Sequence, residues 1–115
     1  MGNSPSLATK VLDADIRKEV NADPVVMYSK KACGYCKMAK TIFAEEKIDF
    51  VEKDLDIVAK ERPDEYQQYV NGLVYVTRQT TVPQIFICGK FIGGYTELNK
   101  LKEARKLLEA VEECA

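Results

Sequence analysis

The chain contains no histidine, and this absence excludes several kinds of active site at once. A Ser-His or Cys-His nucleophile needs an imidazole base, and a mixed Cys/His zinc site needs an imidazole ligand. Whatever lowers the pKa of a thiol in this chain must therefore be a backbone group, a helix dipole or a cation.

A strong excess of charge and a long apolar run are also missing. Lysine and arginine number 17 against 18 aspartate and glutamate residues, so the composition gives no argument for a nucleic-acid partner. No apolar run reaches the length of a membrane-spanning helix. No secretory signal is visible near the first residue, so we expect a reducing, cytoplasmic compartment.

The first residues carry a short pattern of their own. Gly2 and Ser6 stand where N-myristoylation requires them, although a polar N-terminus also matches so short a motif by accident. A single acyl chain gives only weak membrane association, and no dense basic cluster follows to strengthen it. We therefore predict a flexible segment over residues 1–6, lipidated if the motif is used, and a single folded domain over residues 7–115.

Cys33-Gly34-Tyr35-Cys36 is the most informative motif that is present. It follows an apolar run, Val25–Tyr28, and precedes an amphipathic stretch, so it is predicted to lie where a strand ends and a helix begins. Unpaired N–H groups and the helix dipole favour a thiolate at that position. A second thiol one turn later can attack a mixed disulfide formed by the first. The spacing favours a redox pair over a buried structural pair or half of a zinc site.

Two more cysteines stand apart from this motif. A zinc site would need Cys88 and Cys114 as its other ligands, and both are isolated in the sequence. We predict that Cys88 is a small buried residue on a strand. Cys114 is predicted to be an exposed thiol near the tail, open to glutathionylation or to intermolecular disulfides.

The hydrophobic pattern predicts alternating helices and strands. Helices are expected over residues 7–20, 34–46 and 63–72, and in a last segment with Leu98, Leu101, Ala104, Leu108 and Val111 on one face. Strands are expected over residues 25–29 and 48–53, followed by a hairpin over residues 84–92. A strand–helix–strand unit makes the first two strands parallel, and the hairpin adds an antiparallel pair. The chain is therefore predicted to form an α/β sandwich with a mixed sheet.

Thr81-Val82-Pro83 precedes the hairpin and has two interpretations. Proline often starts a strand simply because it cannot donate to a ladder. Alternatively, a cis bond before Pro83 would expose the backbone of Val82 to a visiting peptide, which could pair with it as an extra strand.

Gly93-Gly94 also has two interpretations. It is either a plain loop before a helix capped by Thr96, or an anion site at which a ligand approaches the backbone and meets free N–H groups.

Side chains around the CxxC motif add charge and an aromatic ring. Lys30, Lys31 and Lys37 flank the motif, where a cation stabilises a thiolate, and Lys30 could pair with a substrate carboxylate. Tyr35 either packs on the core or contacts substrate.

Taken in order, three blocks of this sequence resemble the dithiol glutaredoxins over roughly residues 18–112. The blocks are Ser29-Lys30-x-x-Cys33-x-Tyr35-Cys36, Thr81-Val82-Pro83-x-Ile85-Phe86 and Ile92-Gly93-Gly94. The resemblance implies a thioredoxin fold, with a four-stranded mixed β-sheet flanked by helices. It implies that Cys33 is the nucleophile and Cys36 the resolving thiol.

The same resemblance implies that glutathione is both reductant and cosubstrate, and that the partners are glutathionylated or disulfide-containing proteins. It implies a cis Pro83 and the pairing of glutathione's cysteine with Val82. The other implied contacts are Gly94, Thr96 and Glu97 for the γ-glutamyl end, Lys30 and Gln67 for the glycyl carboxylate, and Tyr35 beside the nucleophile.

This chain departs from the family pattern at several positions. Glu97 stands where aspartate is usual, and residues 71–80 lack the usual Thr-Gly-x-Arg. Gly34 replaces the common proline, and dithiol glutaredoxins without that proline include members that hold a [2Fe–2S] cluster between two subunits. The resemblance therefore leaves two alternatives: a monomeric enzyme, and a homodimer bridged by a cluster on Cys33 and glutathione. Gly2 and Ser6 add a third, a membrane-tethered redox adaptor.

Overall fold

The computed structural model describes residues 11–115. Gly2, Ser6 and the start of the predicted first helix lie outside this range. The elements in chain order are α1 (Asp13–Ala22), β1 (Val25–Ser29), α2 (Gly34–Glu45), β2 (Val51–Asp54), α3 (Leu55–Glu61), α4 (Tyr66–Thr77), β3 (Gln84–Ile87), β4 (Lys90–Gly93), α5 (Tyr95–Glu103) and α6 (Leu107–Glu112).

The four strands form one mixed sheet in the order β2-β1-β3-β4. Strand β1 pairs parallel with β2 and antiparallel with β3, and β3 pairs antiparallel with β4. Helices cover both faces of the sheet. The predicted four-stranded mixed sheet flanked by helices is thus confirmed.

Every residue of the central strand β1 is buried, because both faces of the sheet are covered. Val25 and Met27 face a core shared with α2, α5 and α6. Val26 and Tyr28 face a second core shared with α1 and α4. This double burial explains why β1 is an uninterrupted apolar run that ends where the CxxC motif begins.

Helices α3 and α4 differ from the sequence prediction. Helix α3 was not predicted; it follows β2 without a loop, and the Asp54 side chain caps it by accepting a hydrogen bond from the Asp56 N–H at 2.8 Å. Helix α4 does not stop at Gly72. A Cβ atom on Gly72 would lie 2.6 Å from the backbone carbon of Leu12, so glycine there permits a close approach of the chain entering α1.

The last predicted helix is broken into two. Arg105 adopts a positive φ of 59° between α5 and α6, which changes the register of the apolar face. As a result Leu107 is 1% exposed, whereas Leu108, predicted to face the core, is 52% exposed. Within residues 11–115, none of the helices has the length and apolar character needed to cross a membrane.

Cys88 and Cys114 form a disulfide with a Cα–Cα distance of 5.6 Å, so the prediction of an exposed free thiol at Cys114 was wrong. The prediction of a buried residue on a strand at Cys88 was also wrong, because Cys88 is half-buried and lies in the turn after β3. Cys88 follows β3, where its N–H donates to the carbonyl oxygen of Pro24 at 2.7 Å. Cys114 follows α6 and comes back to the β3–β4 turn. This pairing depends on where α6 packs, which local patterns do not reveal.

Candidate active site

Cys33 caps the amino end of α2, as the sequence predicts. It has extended backbone geometry, and its Sγ accepts a hydrogen bond from the Cys36 N–H at 3.1 Å. The first turn of a helix has N–H groups without partners in the helix, and they stabilise negative charge on an atom in this position. The fold therefore places a sulfur where a thiolate is favoured.

Cys33 and Cys36 form a disulfide, with their Cα atoms 5.2 Å apart. Cys36 is 1% exposed and belongs to the buried face of α2, whereas Cys33 is half-buried at the surface. A substrate approaching from solvent can therefore reach the sulfur of Cys33 and not that of Cys36.

The cis bond implied by the resemblance is present between Val82 and Pro83. The carbonyl oxygen of Val82 lies 3.7 Å from Cys33 Sγ. Residues that are 49 positions apart in the sequence are thus adjacent in the fold. A peptide that pairs with the backbone of Val82 would bring its own atoms next to this sulfur.

A groove of 190 Å³ opens beside the cis-proline loop. It brings together six predicted site residues, namely Tyr35, Val82, Pro83, Gly94, Thr96 and Glu97. Gln79, Thr81 and Tyr95 also line the groove but were not predicted as site residues. Thr81 and Tyr95 adjoin recognised motifs, which could have pointed to them. Gln79 had no such signal.

Lys30 and Gln67 are not among the residues that line this groove. Lys30 is exposed just after β1. Gln67 lies in the first turn of α4, where its Nε2 donates to Asn71 Oδ1 at 2.9 Å. Contacts of either residue with glutathione stay predictions.

Two tyrosines form an aromatic wall of the groove. The Tyr35 and Tyr95 ring centroids are 5.8 Å apart. Tyr35 is 62% exposed, so it does not pack on the core, and a flat apolar surface is left free next to Cys33.

The glycine pair supports the groove from the other side. Gly93 has a φ of 119°, which side chains disfavour, and a Cβ atom on Gly94 would lie 3.2 Å from the carbonyl oxygen of Pro83. The Gly94 N–H donates to Glu97 Oε1 at 2.8 Å. Helix α5 begins at Tyr95 with Gly94 as its cap, so Thr96 is not the N-cap residue. The Glu97 carboxylate therefore takes up one N–H group of the predicted anion site, that of Gly94.

A polar cluster fixes the end of β1 next to the active site. Ser29 Oγ donates to Glu52 Oε2 at 2.5 Å, and Lys40 Nζ pairs with the same oxygen at 2.7 Å. Burial acts to raise the pKa of Glu52, but hydrogen bonds from Lys40 and Ser29 outweigh it, so the pKa lies below its usual value. This cluster joins β1, β2 and α2 at the point where the chain turns towards Cys33.

A second polar cluster lies on the opposite face of the sheet. The hydroxyl groups of Tyr28 and Tyr69 both donate to Glu19 Oε1. Desolvation is the main cause that raises the pKa of both tyrosines, and their bonds to Glu19 add to it. Their hydroxyl groups are thus held protonated as a brace between α1, β1 and α4, away from the groove.

The residues that the structure describes do not form a complete metal site within one chain. Across residues 11–115, no three cysteine, aspartate or glutamate side chains converge on a common point. The half-buried Cys33 is the residue that would hold the [2Fe–2S] cluster of the predicted homodimer, and this cluster stays a prediction. No heavy atom lies within 4 Å of a Cβ placed on Gly34, so packing does not demand glycine there.

The fold and the site define a class of protein before any relative is considered. A CxxC disulfide at the start of a helix, facing a cis-proline loop on a mixed four-stranded sheet, defines a thiol–disulfide oxidoreductase of the thioredoxin fold. Comparison with known families narrows this class. Residues 25–92 match the family model described as Glutaredoxin, and the chain belongs to the glutaredoxin family.

Individual relatives agree with this assignment. The chain is 35% identical over 119 residues to Glutaredoxin-2, mitochondrial, of Mus musculus, covering 99% of this chain and 72% of the mouse protein. It is 32% identical to Glutaredoxin-2 of Schizosaccharomyces pombe over 91% of each chain. A crystal structure of a buckwheat glutaredoxin–glutathione complex superposes with a TM-score of 0.79 at 28% identity, covering 98% of this chain and 96% of the buckwheat chain.

Proposed function

We propose that the protein removes glutathione from protein–glutathione mixed disulfides and uses free glutathione as the reductant. The observation that carries this proposal is the 3.7 Å distance between Cys33 Sγ and the carbonyl oxygen of Val82, beside a groove open to solvent. The solved glutathione complex of the buckwheat neighbour supports the choice of ligand.

The reaction uses two thiol exchanges. In the first, the Cys33 thiolate attacks the glutathione sulfur of the mixed disulfide, and the substrate protein leaves as a thiolate. Cys33 then carries glutathione as a mixed disulfide. In the second exchange, the thiolate of free glutathione attacks the sulfur of the bound glutathione, which releases oxidised glutathione and returns Cys33 to its thiolate. Both electrons come from glutathione.

The groove orients the glutathionyl group for the first exchange. Its cysteine, in extended form, pairs with the backbone of Val82 as an added strand, which directs its sulfur at Cys33. The Tyr35 ring covers the apolar part of the ligand. Lys30 and Gln67 are proposed to bind the glycyl carboxylate, and Gly94, Thr96 and Glu97 the γ-glutamyl end.

Cys36 has a separate task in this scheme. Its buried sulfur attacks a mixed disulfide between Cys33 and a substrate protein, which releases the reduced substrate and leaves the Cys33–Cys36 disulfide seen in the structure. This step serves protein disulfides, whereas glutathionylated substrates do not need it.

Replacing each cysteine in turn tests the scheme. Cys33→Ser should abolish release of glutathione from a glutathionylated protein, because the nucleophile is lost. Cys36→Ser, the matched control in the same motif, should keep that activity and lose only the reduction of protein disulfides. Substantial deglutathionylation by the Cys33→Ser variant would refute the proposed function.

Three further predictions stay open. A cluster-bridged homodimer predicts visible absorbance in protein purified without oxygen in the presence of glutathione, and a colourless monomer under those conditions would refute it. Lipidation at Gly2, and with it weak membrane association, is decided by mass spectrometry of the N-terminus from native cells. The proposed cytoplasmic location is checked by fractionating the same cells.

A further inference from the structure

Gln84 is an unusual residue for its position in the fold. It is the first residue of β3, directly after Pro83, and it is 2% exposed. It pairs in register with Tyr28 and precedes Phe86 by two positions, so its side chain lies on the sheet face covered by α1 and α4. Burying a carboxamide in such a core costs free energy unless its polar atoms find partners.

The amide nitrogen of Gln84 finds two partners, both on one loop. Gln84 Nε2 donates to the carbonyl oxygen of Gln79 at 2.7 Å and to that of Thr81 at 3.1 Å. Both partners are acceptors only, so they fix which end of the carboxamide faces the loop. Among the described residues no donor reaches the Oε1 atom of Gln84. The core thus tolerates a buried oxygen without a protein partner in order to keep the two bonds made by the nitrogen.

The loop that Gln84 holds connects α4 to the cis-proline and forms one wall of the groove. It starts at Arg78, which has a positive φ of 61°. The Gln79 N–H donates to Thr77 Oγ1 at 3.1 Å, and Gln79 Nε2 donates to the Thr81 carbonyl oxygen at 3.0 Å. The Thr81 carbonyl therefore receives bonds from two carboxamides, one from the core and one from the loop itself.

We infer that Gln84 is a positioning residue that holds the backbone of Thr81 and Val82 in the conformation to which glutathione binds. This inference rests on the proposed function and deepens it. Gln84 does not line the groove, so it acts through the loop and not by contact with the ligand. A loop fixed before binding spares the ligand the entropic cost of ordering it, so the effect appears in ligand affinity and not in the reactivity of Cys33.

The key variant is Gln84→Met, which keeps the length of the side chain and removes both donors. We expect the affinity for S-methylglutathione, an unreactive thioether, to fall about tenfold, in line with the loss of two ordinary hydrogen bonds. Titration calorimetry measures it. The rate at which iodoacetamide alkylates reduced Cys33, followed by mass spectrometry of the peptide containing that cysteine, should match the wild type.

Two further variants keep the test independent of folding. Phe86→Leu alters the same face of β3 two residues on, without removing a bond to the loop, and should leave affinity unchanged. Thr77→Val removes the bond from the Gln79 N–H and the weaker bond from Thr77 Oγ1 to the Gln79 carbonyl oxygen at 3.3 Å. Both bonds from Gln84 remain, so affinity should fall only about threefold.

The outcomes separate this inference from the proposed function. If the wild-type protein does not bind S-methylglutathione, the proposed function fails and takes the inference with it. If the wild type binds and folded Gln84→Met binds equally well, the inference alone is refuted. It is also refuted if Phe86→Leu loses as much affinity as Gln84→Met, or if Gln84→Met slows alkylation of Cys33, because either result would show a general structural defect.

Discussion

The two disulfides among the described residues lie at opposite ends of the same sheet, and they differ in the length of chain that they close and in their surroundings. Cys33 and Cys36 are three positions apart and follow the C-terminal end of β1, beside the groove. Cys33 is half-buried there. Cys88–Cys114 spans 26 positions and ties the β3–β4 turn to the C-terminal tail. From these settings we expect different roles: the first pair should exchange with substrates, and the second should tie the C-terminal tail to the hairpin.

Each of the two pairs adjoins an opening in the surface. A groove lined by predicted site residues adjoins the first pair. A larger cavity of 440 Å³ lies at the other end of the sheet, between the residues entering β1 and helix α6, and includes Pro24, Ile48, Phe50 and Val111. A separate cavity of 220 Å³ at the same end is lined by Cys88 and Cys114 themselves, together with Asn21, Pro24 and Gly89. Cavity volume alone therefore does not identify the active site, because the groove beside Cys33 measures only 190 Å³.

The largest expected effect is on catalysis, where only substitution in the Cys33–Cys36 pair should lower activity. Cys33→Ser should lower deglutathionylation by about 10³-fold or more, because the attacking sulfur is gone. Cys114→Ser should leave the rate within about twofold of wild type, since it lies at the far end of the sheet. Release of oxidised glutathione measures both. A large loss of activity in Cys114→Ser would break the comparison.

The next effect is on stability, where the Cys88–Cys114 pair should matter more than the Cys33–Cys36 pair. Cys114→Ser should lower the free energy of unfolding by about 2–4 kcal/mol, because the unfolded chain is released from a long loop. Cys36→Ser removes a far shorter loop and should cost much less. Guanidinium unfolding in oxidising buffer gives both values. Adding a strong reductant should bring wild type and Cys114→Ser together, and a persisting gap would show that the disulfide is not the cause.

The order of reduction sharpens the contrast further. Cys33–Cys36 should open first when dithiothreitol is raised stepwise, because the N–H groups at the start of α2 stabilise the thiolate of the reduced pair. Trapping new thiols with an alkylating reagent and mapping them by mass spectrometry reveals the order. Reduction of both disulfides at the same dithiothreitol concentration would contradict the expected difference in their reactivity.

The smallest expected effect is on the stability of the folded protein at acidic pH. The pKa of Glu52 is lower in the folded protein than its ordinary value, because bonds from Lys40 and Ser29 outweigh burial. Its contribution to stability is therefore complete above that ordinary value, near pH 4.5, and is lost as pH falls through the folded pKa. The partly exposed site limits the loss to about 0.5 kcal/mol. Glu52→Gln should flatten the acid side of the stability profile, and an unchanged profile would rule out this contribution.

Local patterns predicted the parts of the fold whose causes are local. The apolar run of β1, the CxxC motif and the amphipathic start of α2 are contiguous, so strand, cap and helix could be read directly from them. Gly72 misled the prediction because a glycine that ends a helix and one that lets another chain segment approach look alike in sequence. Helix α3 was missed because it starts directly at the end of β2, with its cap as the last strand residue.

The parts of the site that escaped prediction depend on contacts between distant segments. Gln79 reaches the groove only because Arg78 turns the chain after α4 and Gln84 holds the loop from the core. The Cys88–Cys114 pair required knowing that the last helix breaks at Arg105 and returns the tail to the hairpin. Local physics left two interpretations open for Pro83 and two for the glycine pair, and only the family resemblance favoured the functional one in each case.

The hydrogen bond between the Gly94 amide and Glu97 has a consequence for any acidic ligand. A ligand carboxylate that binds the Gly94 amide must displace the Glu97 carboxylate, which belongs to the same chain. At a helix end without such a residue, it would displace only water. This attachment to the chain keeps the Glu97 carboxylate at a high local concentration. Under the proposed function, the γ-glutamyl end of glutathione would therefore have to displace the Glu97 carboxylate from this amide or bind through other contacts.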